Sequence, residues 1–336
     1  MVSIRDVARQ AGVSPATVSR ILSEDQTLKV TADTRARVID VANKLHYQPR
    51  ANRRLISKAG EQKLAVALIS TFDEERELND PYFRSIRTGI ELAATRWQMR
   101  IEMVFRLVDA HKDWQRLADF GAVIIIGNPT DTLMKKILAI NANVVVVDDD
   151  RPIQGYDIVH NDFSAQSYRV LDFLAEKGHQ KIAFVGADVA LYDEAGVAVS
   201  THIDARHRVY EAWMTTHHLP PQTYLVGWDT LKALEIVPEL LAQQPTAIVA
   251  ASDPIAIGLY RGLQMAGIKI PTDIAIISFD DIEVAGFLTP SLTTVHPEVE
   301  EMGKAALRLA RERIVGERQL PVELTVPSTL MVRESV

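Results

Sequence analysis

Residues 7–20 read Val7-Ala8-Arg9-Gln10-Ala11-Gly12-Val13-Ser14-Pro15-Ala16-Thr17-Val18-Ser19-Arg20. Ser3 precedes Ile4 and is followed three residues later by Asp6, a cap-like start for a short helix with Val7, Ala8 and Ala11 on one face. Gly12 stops that helix. After Val13, Ser14-Pro15 is a second start: serine accepts from the exposed first-turn N–H groups, and proline occupies the first helical position, where its missing N–H costs nothing. The second helix is predicted from Pro15 to about Leu22, and a third from after Thr31 through Val38, Val41, Ala42 and Leu45. Two short helices joined around a glycine form a helix-turn-helix, with Val7, Ala8, Val13, Val18 and Ile21 for its small core.

Charge supports a separate role for this head. Residues 1–60 hold 11 Lys and Arg against 5 Asp and Glu. The other residues hold 26 against 39, so the overall charge of -7 conceals a basic head on an acidic body. Phosphate contacts need local rather than chain-wide positive charge. At 336 residues, with 47% hydrophobic and 24% charged residues, the chain has a globular composition and length for two or more domains. It has no cysteine, which excludes disulfides, thiol catalysis, iron–sulfur clusters and cysteine-ligated zinc. No apolar run approaches the ~18–20 residues of a membrane helix, and charge at Arg5 and Asp6 interrupts any signal-peptide core. A cytoplasmic location is expected.

From residue 64 onward, apolar runs at 64–69, 101–105, 122–126, 144–147, 182–185, 247–250 and 274–278 have the look of buried parallel strands. Helical patterns lie between them at 82–97, 132–140, 165–177, 204–217 and 254–266. This alternation predicts two doubly wound α/β subdomains with a cleft between them. There is no G-x-G-x-x-G and no G-x-x-x-x-G-K-[ST], so dinucleotide and Walker-type phosphate sites lack support. Asp148-Asp149-Asp150 and Asp280-Asp281 follow predicted strands, and carboxylates there are either solvated or polar contacts in the crevice. His202, His207, His217 and His218 show no metal-binding spacing and are read as surface or structural.

The string at 7–20, followed by Leu45-His46-Tyr47-Gln48-Pro49, closely resembles the DNA-binding head of the LacI/GalR family of bacterial repressors. The resemblance continues through the body at residues 178–183, 251–258, 277–281 and 292–295, in the sensor core that the family shares with periplasmic sugar-binding proteins. It implies a small all-α helix-turn-helix head at 1–47 and a hinge and linker at 48–62. It also implies an N-terminal core subdomain from 63–160 with 297–319, and a C-terminal one from 161–296 with 320–336.

In the head, the resemblance implies base-edge contacts from Pro15, Ala16 and Arg20 and phosphate contacts from Ser14, Thr17 and Ser19. The planar fork of Arg20 suits guanine; Pro15 and Ala16 offer no hydrogen bond, and Pro15 is equally well explained as a helix start. In the family hinge a leucine wedges into the minor groove, and Leu55 matches it. The usual alanine-arginine pair is Asn52-Arg53 here, with Arg53 an expected DNA contact, and the spacing from Pro49 to Leu55 is one residue short. In the core, Asp148, Asp280, Arg206, Ser252 and Trp228 match sugar-pocket positions, and Tyr82 and Phe83 the mouth of the first lobe. Sugar hydroxyls favour Asp and Arg, and their C–H faces favour a flat ring. Trp228 also fits ordinary core packing, and Ser252 a helix cap. His296-Pro297 stands where the family has a further polar contact.

The resemblance further implies a homodimer, through the helix at 82–97, bound to palindromic double-stranded operator DNA. No heptad repeat precedes Val336, so an appended tetramerising helix is not expected. The resulting expectation is a DNA-binding repressor, not an enzyme and without cofactor or metal, controlled by a small sugar in the interlobe cleft. A β-galactoside is the first choice of effector. The alternatives are a pentose or purine effector in the same family, a sugar-binding protein without a DNA role, or a sugar-modifying enzyme. The last would need a nucleophile or acid/base pair, since fold alone does not fix function.

Overall fold

The computed structural model describes residues 4–22, 30–44, 64–75, 80–152 and 155–336. They fall in two units, 1–62 and 63–336. The expected hinge and linker, with Arg53 and Leu55, lies outside the described residues.

The head consists of helices Ile4–Ala11, Pro15–Leu22 and Ala32–Lys44. Gly12 takes a φ of 66°, which lets the Val13 N–H reach back to the Ala8 carbonyl at 3.1 Å, an end suited to glycine. Ser14 Oγ accepts from the Thr17 N–H at 3.0 Å, and Thr31 Oγ1 does the same for Thr34 at 3.3 Å. Both N-caps fall where the sequence places them. Val7, Ala8, Ala11, Val18, Ile21 and Val38 form the core, and Arg37 Nε donates to the Ala11 carbonyl at 3.1 Å.

The larger unit contains two six-stranded sheets. The strands are β1 Ala65–Ser70, β2 Arg100–Arg106, β3 Ala122–Ile126, β4 Val144–Val147, β5 Asp157–Asn161, β6 Ile182–Gly186, β7 Val189–Tyr192, β8 Ala198–His202, β9 Gln222–Leu225, β10 Ala247–Ala250, β11 Ala275–Phe279, β12 Thr293–Pro297, β13 Glu323–Val326 and β14 Ser328–Met331. The first sheet runs β13-β5-β4-β3-β1-β2 and the second β14-β12-β11-β10-β6-β9, with β7 and β8 a separate hairpin. All pairs in the two large sheets are parallel except β12 with β14. Central strands such as β3 and β4 are buried throughout, because helices cover both faces and every side chain along them must be apolar.

The sheet orders correspond: β4 in the first lobe stands where β11 stands in the second, and β5 where β12 stands. The chain crosses between lobes after β5, after β12 and between β13 and β14. The last crossing corrects the expected boundary, which assigned all of 320–336 to the second lobe. Glu323–Val326 pairs in parallel with β5, Glu323 opposite Ile158, so this segment belongs to the first lobe. Buried Asp157 anchors it, accepting from the Val322 N–H at 2.8 Å and from Arg318 at 2.7 and 2.8 Å. A short, half-exposed edge strand carries little hydrophobic signal.

On one face of the first sheet, helices Pro81–Trp97 and Val299–Ile314 pack closely. A Cβ at Gly89 would lie 2.0 Å from the Glu300 carbonyl oxygen, and one at Gly303 2.1 Å from that of Ile86. Reciprocal glycines thus set this approach. Among the described residues no helix is long and apolar enough to cross a membrane.

Candidate functional site

In the head, burial of Val18 and Ile21 turns the opposite face of the second helix outward, and Pro15, Ala16, Ser19 and Arg20 share that exposed surface. Ser14 Oγ caps the helix and lies 2.8 Å from the Thr17 hydroxyl. Ser14 and Thr17 therefore stand at the N-terminus of the helix, where free N–H groups favour an anion.

In the core, the corresponding strands β4 and β11 each end in an aspartate. Asp148 has a φ of 71° and Asp280 one of 105°, uncommon for residues other than glycine and costing on the order of 1–3 kcal/mol each. The Asp148 N–H bonds the Val159 carbonyl and the Asp280 N–H that of Val295, both at 2.9 Å. Each therefore turns off its strand while held to the next one, which brings one carboxylate from each lobe to the cleft.

Asp148 Oδ1 accepts from the Tyr82 hydroxyl at 2.7 Å. Tyr82 stands at the start of helix Pro81–Trp97, whose N-cap is Asp80, and its oxygen accepts from Asn161 Nδ2 at 2.8 Å. Burial pushes Asp148 up from 3.8 to about 7, against the Tyr82 hydrogen bond and the Arg206 charge. Burial, then Asp148, also raises Tyr82 well above 10.0. Asp280 is raised well above the carboxylate range by burial and by the negative charge of Asp253, with Arg206 opposing.

Arg206 is held by Asp204, Nε to Oδ1 and Nη2 to Oδ2 both at 2.7 Å, while Nη1 donates to the Ala251 carbonyl at 2.8 Å. Burial works against its charge, and Asp204 more than offsets it, so the guanidinium is held even more firmly charged than an ordinary arginine. Its carbon sits 4.6 Å from the Phe163 ring centre, 4.9 Å from that of Trp228 and 5.6 Å from that of Phe279. Such a fixed, charged plane among aromatic rings presents both a donor and an apolar surface. Trp228 is 37% exposed, so its ring is outside the core.

Two expected residues sit differently. Phe83 is 8% exposed and packs on Phe72 with ring centres 4.3 Å apart. It supports Tyr82 from within the first-lobe core instead of lining the mouth, because consecutive residues on a helix point about 100° apart and Phe83 falls on the core side. Ser252 Oγ accepts from the Ile255 N–H at 3.5 Å as N-cap of helix Asp253–Met265, and the residue is 6% exposed. The capping reading therefore accounts for its hydroxyl.

The structure adds Asn161, Asp204, Asp253 and the rings of Phe163 and Phe279. Asp253 is fully buried, accepting from Thr294 Oγ1 and the Ile282 N–H at 2.8 Å each, and burial raises it to about 6. Only Asp204, two residues before Arg206, carried a sequence signal, an N-cap aspartate next to the arginine it pairs with. His296 Nδ1 lies 3.0 Å from Asp281 Oδ2. Among the described residues no group of histidines and carboxylates could hold a metal.

A helix-turn-helix head on a two-lobed α/β core with a polar interlobe cleft defines the class of ligand-controlled DNA-binding regulators. Residues 3–50 match bacterial regulatory proteins of the lacI family, and residues 171–336 the periplasmic binding protein-like domain. The chain is 34% identical to the HTH-type transcriptional repressor MelR of Bacillus subtilis, over 100% of this chain and 97% of that protein. It is 33% identical to the regulator GalR of Streptococcus thermophilus, covering 100% and 99%. Among solved structures, the transcriptional regulator CelR–cellobiose complex is similar at TM-score 0.68 with 23% identity over 100% of both chains. The lac repressor dimer bound to operator and an anti-inducer is similar at TM-score 0.66 with 22% identity, covering 99% and 98%. These structural likenesses concern the fold. The chain belongs to the LacI family of transcriptional regulators; it is a DNA-binding regulator and not an enzyme.

Proposed function

We propose that this protein is a homodimeric repressor whose second helix reads operator DNA and whose interlobe cleft binds a small sugar that weakens operator binding. The observation that carries the sugar reading is the pairing of Asp148 and Asp280, one from each lobe, beside Arg206 and Trp228. Carboxylates and a guanidinium satisfy hydroxyls from two sides, and the Trp228 ring covers an apolar sugar face. Because the contacts come from both lobes, occupancy favours one lobe arrangement over another, which is what a controlling ligand requires. CelR with cellobiose and LacI-family regulators with bound ribose and with bound sucrose share the fold.

The proposed DNA contacts are Ser14, Pro15, Ala16, Thr17, Ser19 and Arg20, with Arg53 and Leu55 from the hinge. The proposed effector is a β-galactoside. Residues 77–83 and 86–91 and the shortened hinge resemble the repressor of the evolved β-galactosidase operon. The relatives also include a ribose operon repressor and PurR of Haemophilus influenzae, so pentoses and purines belong in the same screen.

The test is thermal-shift screening of galactosides, glucosides, pentoses and purines, followed by anisotropy on an operator selected from random duplexes. A stabilising galactoside should reduce operator affinity, and the operator must then reduce galactoside affinity by the same factor. Independent binding of the two, or stabilisation by a purine alone, overturns the reading.

A further inference from the structure

The three interlobe crossings all leave the sheets at one edge, where β5 and β13 face β12 and β14. At the other side the hairpin β7–β8 leaves the end of β6 in the second lobe and lands on the first. The Thr130 N–H bonds the Tyr192 carbonyl at 2.8 Å, and the Tyr192 N–H bonds the Asn128 carbonyl at 3.0 Å. These form a parallel bridge between Pro129 and Tyr192. The Tyr192 ring meets Phe72 edge-on with centres 6.0 Å apart.

Ion pairs flank this contact. Glu194 on the hairpin pairs with Lys136 of the first lobe. Asp150, just beyond β4, pairs with Arg208 at 2.8 Å, and its carboxylate lies 3.2 Å from His202 Nε2; Arg208 and His202 both belong to the second lobe. The hairpin turn is built to lie close: Asp193 Oδ1 accepts from the Ala195 and Val197 N–H groups at 2.9 Å. Gly196, at a φ of 75°, approaches the Leu107 backbone so closely that a Cβ would lie 2.6 Å from the Leu107 carbonyl.

We propose that the β7–β8 hairpin is a latch across the mouth of the cleft, opposite the three crossings, and that ligand entry requires its release. The latch itself is independent of the ligand's identity; its role as a gate for a sugar rests on the function proposed above. With crossings on one side and the latch on the other, the lobes cannot part at the mouth without breaking the bridge between Pro129 and Tyr192. The two backbone bonds and the Gly196 contact fix where the hairpin docks, and the flanking pairs are partly exposed and so contribute little, which leaves the dock reversible.

Amide hydrogen exchange on the full-length, ligand-free protein tests the latch. The Thr130 and Tyr192 amides should be protected in the parent and exchange at least ~10-fold faster in Gly196→Val, with β1 and β3 amides unchanged. Asp150→Asn, which removes the Asp150 charge facing Arg208 and His202 without touching the turn or the Glu194–Lys136 pair, should speed the same two amides by about 2–3-fold and decides the matter if Gly196→Val loosens the whole fold. Open-loop exchange of Thr130 and Tyr192 in the parent, or no effect of either variant on them, overturns the latch. The gate is read by stopped-flow tryptophan fluorescence with methyl β-galactoside, which should associate faster with Gly196→Val; equal rates overturn it. Failure of methyl β-galactoside to bind either protein counts against the sugar, while the exchange result still judges the latch.

Discussion

Replacing Asp148 with asparagine should stabilise the ligand-free protein at alkaline pH while weakening its hold on a sugar. The carboxyl titrates near 7 in the fold against an ordinary 3.8. The folded state therefore holds its proton more tightly than the open chain, so the stability this gives is complete below the open-chain value and is lost as pH rises to about 7. At roughly 1.4 kcal/mol per pH unit, the span between the two values corresponds to at most about 4 kcal/mol. Asp148 is partly open to the cleft, where water screens it, so about 2 kcal/mol is the expected gain for Asp148→Asn at pH 8. For a unit of this size that is a rise in Tm of roughly 4–8 °C. Asparagine keeps an oxygen for the Tyr82 hydroxyl. Asp280 and Asp253 are pushed the same way, so both proteins lose stability with rising pH and the informative quantity is their difference. Urea unfolding of parent and variant at pH 4 and pH 8 measures it: the two should nearly coincide at pH 4 and separate at pH 8. Galactoside affinity should fall by about 10–100-fold, the loss of one charge-assisted hydrogen bond. Parallel stability curves with no added separation at pH 8 would refute the reasoning.

Arg20→Ala should lower specific operator affinity by about 1–3 kcal/mol while leaving nonspecific binding largely intact, measured by anisotropy against selected and scrambled duplexes. An unchanged preference for the selected duplex removes Arg20 from base reading. Gly89→Ala should destabilise the core by about 1–3 kcal/mol in urea unfolding, since the added methyl meets the Glu300 backbone and not a flexible side chain. Gly303→Ala should do the same from the opposite helix, and the double variant should cost less than the two separate losses together, because one displacement relieves both clashes.

Strands with uninterrupted apolar residues, such as β3 and β4, were legible because burial on both faces leaves no polar position along them. So were the head helices, whose serine, proline and glycine signals act within one turn of chain. β9 and β13 were not, because edge strands are half-exposed and alternate weakly. The hairpin β7–β8 has mostly exposed residues on β8 and no core of its own, so only its partner across the cleft gives it a place. Asp148 and Asp280 were visible as strand-end carboxylates, whereas Asn161 lay on a strand without a clear signal and Asp253 within a capped helix start.

The sequence by itself determined the helix-turn-helix, the alternation of strands and helices and the segregation of basic charge into the head, because each depends on neighbours within a few residues. Tertiary structure alone decided that Phe83 faces the core while Tyr82 reaches Asp148, and that residues 323–326 return to the first lobe. It also decided that two aspartates 132 residues apart in sequence act on one arginine. Each of these depends on where distant segments meet, and burial, which sets both the orientation of a side chain and the pKa of a carboxyl, exists only once they have.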